Sequence, residues 1–113
     1  MATLLGRSRG LDDAARAALR AALADPIFEL LPLKNLPEQI PHLPAGARVS
    51  VTASPAKGID ATLDWAARLQ ADGFRAIPHL SARMIPDRAK LAELLDRARA
   101  AGLTQTFVVG GDA

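Results

Sequence analysis

At 113 residues with a formal net charge of +2, the chain has the length of one small domain, and half of its residues are hydrophobic, enough to bury a modest core. It contains no cysteine, which excludes a disulfide framework, a thiolate metal site and a cysteine nucleophile. No apolar run reaches the roughly eighteen residues of a membrane span, and the arginines are scattered among acids instead of clustered with aromatics, so neither a membrane nor a nucleic acid is expected as a partner.

Residues 1–10 carry two arginines and a serine, the composition of a transit peptide, but Asp12, Asp13 and Asp25 follow closely. An apolar stretch of signal-peptide length is also missing from this region. The expected location is the cytoplasm.

The first predicted element is a helix over residues 11–24. Leu11, Ala14, Ala15, Ala18, Leu19, Ala22 and Leu23 repeat at three-four spacing, and Asp12 and Asp13 stand where the helix dipole favours acids. Asp25-Pro26 ends it, because proline pushes the residue before it out of the helical region. A strand over 27–33 follows. Residues 34–46 contain Pro37, Pro41 and Pro44, which leave room for a single helical turn near 37–40 in an irregular crossover.

The second strand spans 48–53 and runs into the turn-rich Ala53-Ser54-Pro55-Ala56-Lys57-Gly58. Lys57-Gly58 lacks the spacing of a phosphate loop. Asp60 is placed as the cap of a helix that runs to about Asp72 and stops at Gly73, with Leu63, Ala66, Ala67 and Gln70 along one side. A third strand covers 74–80. Pro86-Asp87 opens another helix with Leu91, Leu94, Leu95, Ala98 and Ala101 on one face, and Gly102 marks its end. The fourth strand covers 105–110. Strands alternating with helices imply an α/β domain with a parallel sheet.

In such sheets the carboxyl ends of the strands build the ligand site. Glu29, Thr52, His79 and Asp112 stand at or near those ends and are the candidates for chemistry. Glu29 sits inside an apolar run, where an ionised carboxylate is costly unless paired. Directed into a barrel mouth it is a candidate general acid; directed outward it pairs with Lys34 or an arginine. His79 reads as a ligand contact or, the safer reading taken alone, as a satisfied structural histidine. Asp112 follows Gly110-Gly111, a pair that lets backbone approach a ligand, and it also reads as a helix cap. Thr52 is an ordinary strand residue taken alone, and His42, between prolines, is assigned to solvent. No metal-ligand set is read from the spacing.

Together these segments carry more than each does alone. Phe28-Glu29-Leu30-Leu31-Pro32 resembles the first-strand signature of methylenetetrahydrofolate reductases. Val49-Ser50-Val51-Thr52 is similar to that family's second strand, Ile77-Pro78-His79-Leu80-Ser81 to its third, and Gly111-Asp112 to the G-D that closes its fourth. The match runs over about residues 25–113 and is nearest to the short bacterial reductase-like branch, with V-T-A-S-P-x-K-G, P-H-L-S-A-R and V-x-G-G-D-A.

The resemblance implies the N-terminal half of a (β/α)8 TIM-type barrel that reduces 5,10-methylenetetrahydrofolate to 5-methyltetrahydrofolate. It implies FAD across the barrel top and NAD(P)H as hydride donor. Glu29 would be the general acid, Asp112 would sit beside flavin and pterin and tune charge, and Thr52 and His79 would contact the flavin. Gly110 stands where the flavoenzymes carry arginine, and Ala53 where they carry tyrosine. Direct transfer from the nicotinamide therefore stays open beside a flavin relay.

Because the chain ends one residue after Asp112, a fragment of a longer enzyme is expected. Two alternatives stay open: a half-barrel that dimerises through its open sheet edges, and a small open domain that binds a ligand or partner and catalyses nothing.

Overall fold

Proline, glycine and capping aspartates set the limits of most elements. The computed structural model describes residues 10–111. Helix α1 (Asp13–Ala24) is capped by Asp12, whose Oδ1 accepts the Ala15 amide at 2.7 Å, and it ends at Asp25-Pro26. Strand β1 (Ile27–Leu30) closes before the predicted residue 33. Pro32 has no amide for a ladder, and the Leu33 amide donates back to the Leu31 carbonyl at 2.7 Å. The proline-rich crossover holds one short helix, α2 (Leu36–Gln39), continued by a 3-10 turn (Ile40–His42).

Strand β2 (Arg48–Val51) stops short of residue 53, although the Thr52 amide still donates to the Leu30 carbonyl at 3.0 Å. Helix α3 (Ile59–Ala71) begins one residue before the cap expected for it. Gly58, with φ +81°, takes the capping position, and Asp60 falls in the first turn. Strand β3 (Arg75–Ser81), a 3-10 turn (Ala82–Met84), helix α4 (Arg88–Ala100) and strand β4 (Phe107–Val109) follow. Asp87 caps α4, its Oδ1 accepting the Lys90 amide at 2.8 Å. Gly73 and Gly102 have φ values of +95° and +74°, the left-handed conformation expected just beyond a helix. Strand β4 is shorter than the predicted 105–110.

The four strands form one parallel sheet in the order β1-β2-β3-β4. Each crossover joins a strand to its immediate neighbour, and right-handed crossovers of that kind all pass over the same face. Period-two alternation then sorts the side chains. Val49, Val51, Ala76 and Leu80 from the strands meet Leu63, Ala66, Leu69 and Leu94 from α3 and α4 in the core. Glu29, Ser50 and Ile77 align on the opposite face, and Ile77 is buried outside that core cluster.

Helix α1 stands apart: none of its residues is buried, and Leu19 and Leu23 are exposed. The Cα radius of gyration is 19.0 Å, against about 13 Å for a compact domain of this size.

Two ion networks tie separate elements together. At the amino ends of the strands, Arg75 Nη2 lies 2.6 Å from Asp25 Oδ1, and Arg48 Nε lies 3.2 Å from Asp25 Oδ2 without hydrogen-bond alignment. The Arg75 hydrogen bond, with Arg48 beside it, holds the Asp25 carboxyl below its ordinary value. Between α3 and α4, Lys90 Nζ lies 2.9 Å from Asp60 Oδ1 and Arg97 Nη2 lies 2.7 Å from Asp64 Oδ1, with Arg97 also on Asp60. The Lys90 and then the Arg97 hydrogen bonds hold the Asp60 carboxyl below 3.8.

Leu69 is fully buried, so Leu69→Ala is expected to cost about 2–5 kcal/mol in urea unfolding. The Asp60 network predicts a pH effect. Because the folded value lies below 3.8, the carboxylate's contribution is complete at neutral pH and is lost as pH falls through the folded value. Stability is expected to fall more steeply below pH 3.8 in the parent chain than in Asp60→Asn. Equal slopes in denaturant titrations would remove the network from the docking of α3 on α4.

Candidate functional site

The face that carries no described helix, together with the carboxyl ends of the strands, collects most of the polar residues singled out above. Glu29 projects from β1 on this face with its side chain 62% exposed. His79 of β3 is only 13% exposed, and its Nε2 lies 3.9 Å from Glu29 Oε1. That separation exceeds a hydrogen bond and leaves the two groups as neighbours. Ser50, small and buried, occupies the intervening strand beside Glu29 and leaves the space between them. Pairing of Glu29 with Lys34 or an arginine is not formed among the described residues.

The His79 ring leans on Phe107, its register partner on β4, with centroids 5.0 Å apart at 53°. This tilted contact fixes the imidazole from below. Thr52 is held by its backbone: its amide donates to Leu30, and its carbonyl accepts the hydroxyl of fully buried Thr62 at 3.1 Å. His42 is exposed in its loop, as read from the sequence.

At the end of β4 the Arg83 amide donates to the Gly110 carbonyl at 3.2 Å, and Arg83 Nη1 donates to the Gly111 carbonyl at 3.2 Å. A Cβ on Gly111 would collide with Ser81 Oγ, so only glycine lets the two strand ends come this close. Asp112 lies outside the described residues. Glu29 and His79 are therefore brought together on the bare face, Thr52 stands at the neighbouring strand end, and the fourth candidate has no described position.

A hollow of about 240 Å³ lined by Ile27, Glu29, Ser50, Ile77, His79 and Phe107 occupies the bare face. A second, of about 160 Å³, is lined by residues that include Ala53, His79, Ser81 and Gly111. His79 borders both. Each is smaller than the roughly 300–1,000 Å³ of a pocket for a small molecule, as expected of a site with one wall. Sequence reading passed over Ser50, Ser81 and Phe107. Strand alternation carries the signal for Ser50 and Ser81, since both share parity with a candidate on their own strand. Phe107 had no such signal, because its role follows from the β3–β4 register.

The apolar floor of Ile27, Ile77 and Phe107, with a polar rim of Glu29, Ser50 and His79, suits a flat heteroaromatic ring. The diphosphate of a flavin dinucleotide finds no matching cradle among the described residues. Arg83 is turned onto the Gly111 carbonyl, and Arg48 and Arg75 lie with Asp25 at the opposite end of the sheet. These residues fit the ring of such a cofactor and do not fit its tail. No group of three histidine, aspartate or glutamate side chains that could hold a metal lies together among the described residues. None of the described helices is long and apolar enough to cross a membrane. No family model matches the chain.

Gly111→Ala is expected to cost more than about 1 kcal/mol, because alanine opposes the positive φ as well as the close approach. The amide resonances of Ser81 and Arg83 should move with it. An unperturbed spectrum and unchanged stability would show that the contact does not hold the strand ends together.

Proposed function

We propose that this chain is one half of a (β/α)8 barrel of the methylenetetrahydrofolate-reductase type. With the half that completes the barrel, it would reduce 5,10-methylenetetrahydrofolate to 5-methyltetrahydrofolate using hydride from NAD(P)H. The observation that carries this reading is the meeting of Glu29 and His79 on the bare face, over an apolar floor and near the carboxyl ends of sequentially ordered parallel strands. The four strand motifs that resemble the family supply the substrate class.

In this reading the pterin lies on Ile77 and Phe107. Glu29, protonated, gives its proton to N10 of the five-membered ring. The bond from N10 to the bridging carbon breaks with its electron pair on N10, leaving that carbon as an iminium on N5. Hydride from NAD(P)H adds to the carbon and makes it a methyl group, and solvent returns the proton to Glu29. His79, held by Phe107, orients the carboxyl. Thr52 and Asp112 take their places at the ring edge from the motif resemblance alone. Completion of the barrel would also remove water from Glu29, the environment a carboxylic acid needs to stay protonated near neutral pH. No step here passes through a flavin.

A second reading is a non-catalytic half-barrel that binds a ligand or partner on the same face. The 62% exposure of Glu29 favours it, because the side chain stands open to a ligand or partner on a face with a single wall.

The two readings separate in one assay. In the enzyme that contains this segment, Glu29→Gln is expected to lower NAD(P)H-dependent folate reduction by about 100- to 10,000-fold while tetrahydrofolate still binds. Unchanged turnover would remove Glu29 from the mechanism. A parent protein that binds folate or another ligand and oxidises no NAD(P)H supports the second reading.

A further inference from the structure

The described chain is built as four helix-then-strand units, α1–β1, α2–β2, α3–β3 and α4–β4. In the third unit the helix packs on its own strand and on the strand before it: α3 lies over β3 and β2. Helix α1 is joined to β1 only by Asp25-Pro26, yet no strand precedes β1 among the described residues, and none of the helix's residues is buried. At the other edge, Val108 of β4 is 67% exposed on the helix-bearing face. It borders a groove of about 420 Å³ lined by Leu80, Ile85, Leu91 and Val108 among others. The described residues thus present a helix without a groove and a groove without a helix.

We propose that a second copy of this chain supplies both. Strand β4 of each copy pairs in parallel with β1 of the other, and α1 of each copy lies in the groove outside the other's β4. All four strands run the same way, so a twofold axis along them sets β4 beside β1 twice, with every strand still parallel. The result has no free edge. Two identical junctions close a ring of eight strands, the number whose interior side chains just fill.

The area is sufficient. Ile27, Phe107, Val108, Leu19, Leu23, Leu91 and Leu95 are each between 37% and 68% exposed. Together they offer on the order of 700 Å² per copy, close to the roughly 800 Å² per partner of a stable interface. The bare face with Glu29 and His79 becomes the interior of the assembly. This inference does not rest on the reductase chemistry, since it needs only the edges, α1 and the groove.

Sedimentation equilibrium of the 113-residue chain at micromolar concentration is expected to give twice 11.9 kDa. A monomer overturns the proposal, and so does an open-ended series of masses, because a closed twofold stops at two. The chain contains no cysteine, so introduced thiols report the contact directly. A mixture of Leu19→Cys and Val108→Cys chains is expected to join through a short thiol-to-thiol crosslinker, and Leu19→Cys alone is not. Crosslinking of Leu19→Cys with itself, or none in the mixture while the mass stays dimeric, overturns the placement of α1. Leu19→Glu, with its helical circular dichroism unchanged, is expected to weaken the dimer at least about tenfold. Undiminished association of that variant also overturns it.

Discussion

One constraint governs the rest of the molecule: neighbouring parallel strands are joined by crossovers of a single hand. With the strand order running β1-β2-β3-β4, the helices have nowhere to lie except one side of the sheet. Val49, Val51 and Leu80 can then face α3 and α4 and form a dry core. The same geometry leaves Glu29, Ser50, Ile77 and His79 on a side that no described helix covers. A doubly wound order would have covered both sides and moved any site to the point where the order reverses.

The two ends of the sheet do different work. At the amino ends, Asp25 sits between Arg48 and Arg75, and the charges of the polar hollow there largely satisfy one another. Groups that have found their partners stabilise and are poorly placed to bind. At the carboxyl ends, Glu29 keeps most of its surface free and His79 is fixed by an aromatic edge instead of an ion pair. Groups held in place but not neutralised are what a ligand can use. The close approach of Gly111 to Ser81 draws the end of β4 against β3 and so shapes the rim of that region.

The apolar side chains at the edges belong to the same logic. Ile27 and Phe107 stand on the outer strands, and Leu19 and Leu23 stand on α1, all of them exposed. Exposed leucines taken singly are ordinary. Here they follow the two open edges of one sheet and the face of one helix, an arrangement that a sheet completed on both sides would bury. The polar rim and the apolar edges therefore border the same uncovered face and edges of one sheet.

Much of this was legible in the chain itself. Helices α1, α3 and α4 followed from three-four apolar spacing, their ends from Asp25-Pro26, Gly73 and Gly102, and the poor first crossover from Pro37, Pro41 and Pro44, because these are local effects of backbone geometry. The alternation of helix and strand was enough for a parallel α/β sheet. Strand limits were less legible: β1 stops at Leu30 because Pro32 withholds an amide, a cost that the apolar run Leu30-Leu31 conceals. Asp60 read as a cap and became an ion-pair partner of Lys90, since a residue two elements away decides which hydrogen bonds are open to it. Only the tertiary structure decided that Glu29 faces His79 across Ser50, that Phe107 supports the imidazole, and that no residue of α1 is buried among the described residues. Each of these depends on register between strands far apart in sequence, which no local pattern encodes.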